Sequence, residues 1–317
     1  MIVCCGEALI DMIPVSPSDG SGDFHPIAGG AVFNTAIALG RLNVPVGFFT
    51  GISTDKYGRQ ISEELRNSRV DMSRVIVSDR PTMLAFVKLT DGQASYVFHD
   101  ENTASISLAH EHLPKASKMV DAYFFGGISL VSEPCATTYE ALMAREHANN
   151  VIMLDPNIRP AFVSDERKYR ERLNRMFGYT DIVKVSDEDL DWISWQKPEE
   201  DAVADLIAKG VAVVIVTKGA KGASLYTGNI EVGATPPKTP VIDTVGAGDT
   251  FNAGFLFWLS RNDSLKKEKL KVLSGEELQN ALNQGVYISS CVVGKKGANP
   301  PWEHELNSRF LIPPGEK

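Results

Sequence analysis

Six short apolar runs, rich in β-branched residues, recur along the chain at residues 2–3, 46–49, 122–125, 151–154, 182–185 and 211–216. Most are bounded by Gly, Asp or Pro, and several are nearly continuous in apolar character. Strands buried on both faces read this way, because neither side of the sheet meets water. Helical stretches lie between many of them. Residues 35–42 are small and apolar, residues 134–149 follow a Ser-Glu-Pro start, and residues 202–209 end at Gly210, a helix stop. Strand and helix in alternation predict an α/β fold with a mostly parallel sheet wrapped by helices.

Two segments break that rhythm. Residues 12–28 are rich in Pro, Ser, Gly and Asp, and residues 81–99 read as two strands joined by Asp91-Gly92, a strong hairpin dipeptide. Both predict a small β-flap attached to the main sheet, not an independent domain. The 317 residues, 43 % of them apolar, suffice for a large core. A net charge of -8 argues against a nucleic-acid partner, since phosphate binding needs a basic face. The densest cationic stretch, Lys266-Lys267-Glu268-Lys269, is broken by a carboxylate and reads as a solvated helix face. Cys4, Cys5, Cys135 and Cys291 form no CxxC pair and no zinc spacing, so Cys4 and Cys5 read as buried free thiols. Neither end reads as a targeting signal, and no apolar stretch approaches the roughly 20 residues of a membrane span. The expected setting is cytoplasmic, with no membrane partner.

The stretch that carries chemistry is Asp243-Thr-Val-Gly-Ala-Gly-Asp-Thr-Phe-Asn-Ala-Gly254. It follows an extended run at 239–242 and leads into a helix-like run at 251–260. Gly246, Ala247 and Gly248 are small, so the backbone can approach a ligand closely. A turn of small residues that opens a helix presents free N–H groups and the positive dipole end, which suits phosphate oxygens. Asp249 then sits in the first helical turn. Taken alone, Asp249 reads as a carboxylate capping a helix N-terminus, where carboxylates are favoured. A dinucleotide site is disfavoured because Phe251 stands where GxGxxG needs its third glycine, and no GxxxxGK[ST] occurs.

A distant segment changes the balance. In Ala28-Gly29-Gly30-Ala31-Val-Phe-Asn34-Thr-Ala-Ile-Ala-Leu-Gly40, glycines again precede a helix, and a polar Asn34 stands inside an apolar one. Together the two segments resemble the two motifs of the ribokinase-like, or PfkB, carbohydrate kinases, in the right order, and the resemblance runs over roughly residues 1–305. It implies a Rossmann-like α/β/α kinase domain spanning residues 1–317, with a β-lid from about 12–28 and 81–102. It implies that Gly246, Ala247 and Gly248 form an anion hole and that Asp249 is the catalytic base, ionised at neutral pH if its pKa is near the ordinary value of about 3.9. Asp11, Gly29, Gly30 and Asn34 match sugar contacts. Lys184, Thr217, Gly219, Gly222, Asn283 and Val286 match the nucleotide side. Asp243 and Val245, with Lys295 and Gly297, match a monovalent-cation site in many members. Ser186 and Asp189 stand where the family carries Asn-x-x-Glu, a departure that leaves Asp189 as a ligand of Mg²⁺ through water. The implied cofactors are ATP, Mg²⁺ and K⁺.

The run Asp155-Pro-Asn-Ile-Arg159-Pro160 projects a cation at Arg159 and resembles fructokinases and 2-keto-3-deoxygluconate kinases. Gly6-Glu-Ala-Leu-Ile-Asp11 and Lys184-Val-Ser-Asp-Glu-Asp189 look most like fructokinases. Asp100 and Glu101 at the lid exit would repel an acidic sugar. The expected reaction is transfer of the ATP γ-phosphate to the 6-hydroxyl of fructose. A 2-keto-3-deoxygluconate kinase, a ribokinase or a nucleoside kinase stands behind it. From other classes come a catalytically silent sugar-binding regulator, and a glycosidase using Asp11 and Asp249. The lid strands could pair two subunits in a homodimer.

Overall fold

A computed structural model describes residues 1–15, 23–90 and 93–307, with backbone alone at 87–90 and 93–96. The strands in chain order are β1 (Ile2–Cys5), β2 (Leu9–Pro14), β3 (Phe24–Gly29), β4 (Val46–Phe49), β5 (Gly51–Ser53), β6 (Ile76–Ser78), β7 (Leu84–Thr90), β8 (Gln93–His99), β9 (Ala122–Gly126), β10 (Val151–Asp155), β11 (Ile182–Ser186), β12 (Val213–Thr217), β13 (Ala223–Tyr226) and β14 (Glu231–Ala234). The helices are α1 (Ala31–Arg41), α2 (Lys56–Asn67), α3 (Cys135–Glu146), α4 (Glu166–Phe177), α5 (Asp187–Ser194), α6 (Glu199–Ala208), α7 (Ala247–Arg261), α8 (Lys267–Leu270) and α9 (Gly275–Val293).

All six apolar runs become strands of one eight-stranded sheet, ordered β14-β13-β12-β11-β10-β9-β1-β4. It is parallel except at β12-β13 and β13-β14. Successive residues of a strand face opposite layers. Cys4, Phe48, Phe124 and Met153 join a core that includes α1, α7 and α9, while Cys5, Phe49, Phe125 and Leu154 join a core that includes α3, α4 and α6. Two apolar layers on one sheet explain why the runs carry no polar alternation. The result is an α/β/α sandwich.

β4 and β9 lie on opposite sides of β1, so the strand order reverses there. Such a reversal opens a crevice at the carboxyl ends of the strands. Beyond those ends lies a second, four-stranded sheet, β3-β2-β7-β8. It draws on both segments that broke the rhythm, although its first strand begins at Leu9. Asp91 and Gly92, expected as the hairpin turn, lie outside the described residues, as do residues 16–22 of the flap. The extended run at 239–242 joins no strand, and Val241 and Ile242 are exposed. The four cysteines are free, with Cys4, Cys5 and Cys135 buried. Among the described residues, no helix is long and apolar enough to cross a membrane.

Candidate active site

A cavity of about 320 Å³ opens where the crevice meets the second sheet. One wall is the turn ahead of α7. Gly246 is its N-cap, with φ +77, a left-handed value that a side chain would strain. A Cβ there would also approach the Ala298 Cβ to 2.7 Å. Asp249 is the third residue of α7, and its carboxylate lines the cavity. The opposite wall comes from β2 and the start of α1. Strand alternation points Leu9 and Asp11 into the cavity while Ile10 and Met12 enter the core. Gly30 is the N-cap of α1, and Asn34 lies one turn in. Asn157 and Arg159 arrive from the loop after β10, and Phe98 from β8.

Asn34 crosses between the walls, its Nδ2 donating to Asp249 Oδ2 at 2.9 Å. Thr35 Oγ1 donates to the Asp249 carbonyl at 3.2 Å. α1 therefore fixes both the side chain and the backbone of Asp249. Burial pushes the Asp249 carboxyl up to about 7. The Asn34 hydrogen bond opposes that rise, Asp155 adds to it, and Lys184 and Arg159 oppose it. The ordinary, fully ionised carboxylate expected from the sequence is therefore corrected: desolvation leaves the group poised near neutrality, where a general base is most effective. Asp11 is also raised by burial, to about 6.

The arrangement presents a helix N-terminus for anionic oxygens, a poised carboxylate beside it, and a polar pocket within reach of both. Residues 1–305 match the pfkB family of carbohydrate kinases. This chain belongs to that family. The kinase is 48 % identical over 280 residues to a fructokinase from Rhizobium leguminosarum bv. trifolii, a match that covers 88 % of this chain and 86 % of the relative. It superposes with TM-score 0.83 on the ATP-bound fructokinase of Xylella fastidiosa, at 25 % identity over 98 % of this chain and 96 % of that one. It also superposes with TM-score 0.81 on a double mutant of Vibrio cholerae O395 fructokinase holding fructose, ADP and a potassium ion. There the identity is 25 %, over 94 % of this chain and 93 % of that one.

Several residues matched to the nucleotide and cation sites stand outside the lining of this cavity. Lys184 does not line the cavity. Its Nζ is buried behind the Gly248 turn and donates to Asp155 Oδ2 at 2.9 Å. Burial pulls the Lys184 ammonium down, but the charge and hydrogen bond of Asp155 outweigh it, so its pKa lies above the usual value. Asp189 closes a capping box with Ser186 at the start of α5, and its Oδ1 accepts the Ile158 N–H at 3.0 Å. Through its two oxygens Asp189 anchors the loop after β10 to the start of α5. Among the described residues no three His, Cys, Asp or Glu side chains cluster as a metal site. Asp243 accepts the Val245 N–H at 3.0 Å and the Gly297 N–H at 2.8 Å, drawing the two expected cation-site loops together. The Lys295 side chain pairs with Glu305, Nζ to Oε2 at 3.6 Å.

Thr217 ends β12, donating to the Val185 carbonyl at 3.3 Å, and Gly219 and Gly222 shape the turn that follows. None of the three lines the cavity. On α9, Asn283 is exposed and accepts from Gln279, while Val286 is buried in the core shared with α7. The two stand one turn apart on α9, Asn283 nearer solvent and Val286 nearer the core. Asp100 and Glu101, expected to repel acidic sugars, do not line the cavity either.

Glu7 was not expected in the site, yet it lines the cavity and is buried. Its carboxylate accepts the Ala31 N–H at 2.9 Å and the Ser129 N–H at 3.3 Å, tying α1 to the turn after β9. Burial raises its pKa against the hydrogen bonds from Ser129 and nearby backbone. A sequence signal existed: Glu7 is the one charged residue in the buried stretch 2–10.

Proposed function

We propose that this kinase is an ATP-dependent fructokinase that transfers the γ-phosphate to the 6-hydroxyl of fructose. The observation that carries the reading is the Asp249 carboxylate, which faces a polar cavity from the first turn of the helix that Gly246 caps. Asp249 takes the proton of the attacking hydroxyl. The N–H groups of the Gly246–Ala247–Gly248 turn stabilise charge on the phosphoryl as it moves. Asp11, Gly29, Gly30, Asn34 and Arg159 grip the sugar: the acid accepts hydroxyl protons, while the amide both donates and accepts. The four-stranded sheet acts as a lid on a single kinase domain and brings Phe98 over the sugar.

ATP enters as its Mg²⁺ complex. Without an acidic cage among the described residues, the donor set fits a metal carried by substrate phosphates, as Mg²⁺ prefers. Thr217, Gly219, Gly222 and α9 border the nucleotide. A monovalent cation would sit between the loops joined by Asp243. The lid's exposed Phe24, Ile27 and Val97 favour pairing of two copies through that sheet.

The test is a panel of sugars with ATP and Mg²⁺, read by ADP release. Fructose should give the highest kcat/KM, and preference for 2-keto-3-deoxygluconate, ribose or a nucleoside would refute the assignment. Asp249→Asn should bind both substrates but turn over roughly 10²- to 10⁴-fold more slowly.

A further inference from the structure

Behind α7 lies a buried polar cluster that the transfer just described does not use. Asp155 ends β10, and its Oδ2 accepts from Lys184 Nζ at 2.9 Å and from Asn252 Nδ2 at 2.7 Å. Its Oδ1 accepts the Asn157 N–H at 3.2 Å. Asp155, Lys184 and Asn252 are 2 %, 3 % and 1 % exposed. Each donor belongs to a different part of the site. Lys184 packs against the anion turn, since a Cβ on Gly248 would lie 3.2 Å from its Nζ. Asn252 follows Asp249 by three residues on α7, so the two share a helix face. Asn157 and Arg159 carry the sugar loop to the cavity.

One carboxylate thus bonds to the phosphate end, the base-bearing helix and the sugar end at once. Charge-assisted hydrogen bonds are short and directional, so they fix the roll of α7 and the height of the turn better than apolar packing does. A misplacement of about 1 Å in such a site can cost about 10²-fold in rate. We propose that Asp155 is a positioning residue for phosphoryl transfer, holding the Lys184-backed anion turn and the Asn252 face of α7 in register with the sugar loop. The inference rests on the sugar-kinase reading.

The groups facing Asp249 allow a decisive readout. Asn34 and Thr35 face it from α1, Arg159 from the loop after β10, Asp155 from β10 and Lys184 from β11, while Glu7 and Asp11 share its cavity. Among them Asp155 holds Asp249 toward its protonated form and Lys184 toward its ionised form. Asp155→Asn, Lys184→Met and the double variant should be prepared in the full chain. Circular dichroism checks folding, and kcat, both KM values and the pH profile of kcat are measured with fructose and Mg-ATP.

Each single change should lower kcat about 10²-fold, with the larger part of the loss in kcat rather than KM. The acidic limb should move down in Asp155→Asn and up in Lys184→Met, opposite shifts that a purely structural role would not produce. The double variant should lose no more than the worse single one, because residues acting as a unit are not additive. A folded Asp155→Asn with parental kcat and limb overturns the proposal. So does a loss confined to the KM for Mg-ATP, which would make Asp155 a nucleotide contact. If Asp155→Asn does not fold, the double variant, which buries no lone charge, decides, and a near-parental kcat there overturns it. A parent without sugar-dependent ADP release overturns this inference and the functional reading together, whereas an active parent with insensitive variants overturns this inference alone.

Discussion

Replacing Asn34 with alanine should move the acidic limb of kcat/KM to higher pH. The Asn34 amide donates to Asp249 at 2.9 Å, and that bond favours the ionised carboxylate against the burial that lifts it to about 7. A hydrogen bond to a charged group contributes about 1.5–3 kcal/mol, and each pKa unit corresponds to about 1.36 kcal/mol. Its loss therefore adds about one to two units and carries the limb to about 8–9. At pH 7 the ionised fraction falls from about one half to between about 10 % and 1 %, a roughly 5- to 50-fold loss that alkaline pH restores. The assay is kcat/KM for fructose across neutral and alkaline pH, which reports the free enzyme. Loss of a sugar contact alone would lower the whole profile without moving the limb, so the two roles of Asn34 separate. A limb that stays in place, or moves down, refutes the argument.

Asp249→Asn should also stabilise the fold at pH 8. The folded pKa, about 7, lies above the usual value of 3.8, so ionisation costs folding free energy as pH rises between those values. Denaturation in urea should show a gain of a few kcal/mol at pH 8 that vanishes below pH 4. Gly29→Ala places a Cβ 2.3 Å from Asp11 Oδ2. Displacing that carboxylate should raise the KM for fructose by about tenfold or more while the KM for ATP holds, as loss of one charged hydrogen bond implies. Arg159 is exposed and lines the cavity. Arg159→Ala should therefore raise the fructose KM with no change in melting temperature, and an unchanged KM would remove it from the sugar pocket.

The main sheet was legible because burial on both faces leaves an unbroken apolar run wherever a central strand occurs. β13 and β14 were not, because they are short antiparallel strands at the sheet edge with residues open to solvent. The Gly246–Asp249 turn was legible because its chemistry is local: small residues, then a carboxylate, at the start of a helix. The sequence offered Lys184 as a cation for phosphate, but its burial and its bond to Asp155 were not legible. Its partner Asp155 comes 29 residues earlier and meets it only through the neighbouring strands β10 and β11.

Local spacing thus determined which segments become strands, where helices begin, and which residue types stand at the phosphate end. Tertiary structure alone decided the rest. It brought Asn34 to Asp249 across 215 positions and bound Asp189 to the loop after β10. It also sank Glu7 beneath α1 and drew water away from Asp249 until its proton affinity rose. The reason is physical: a side chain's charge state depends on the dielectric and the dipoles within a few ångströms, and those neighbours come from strands and helices far apart in the chain.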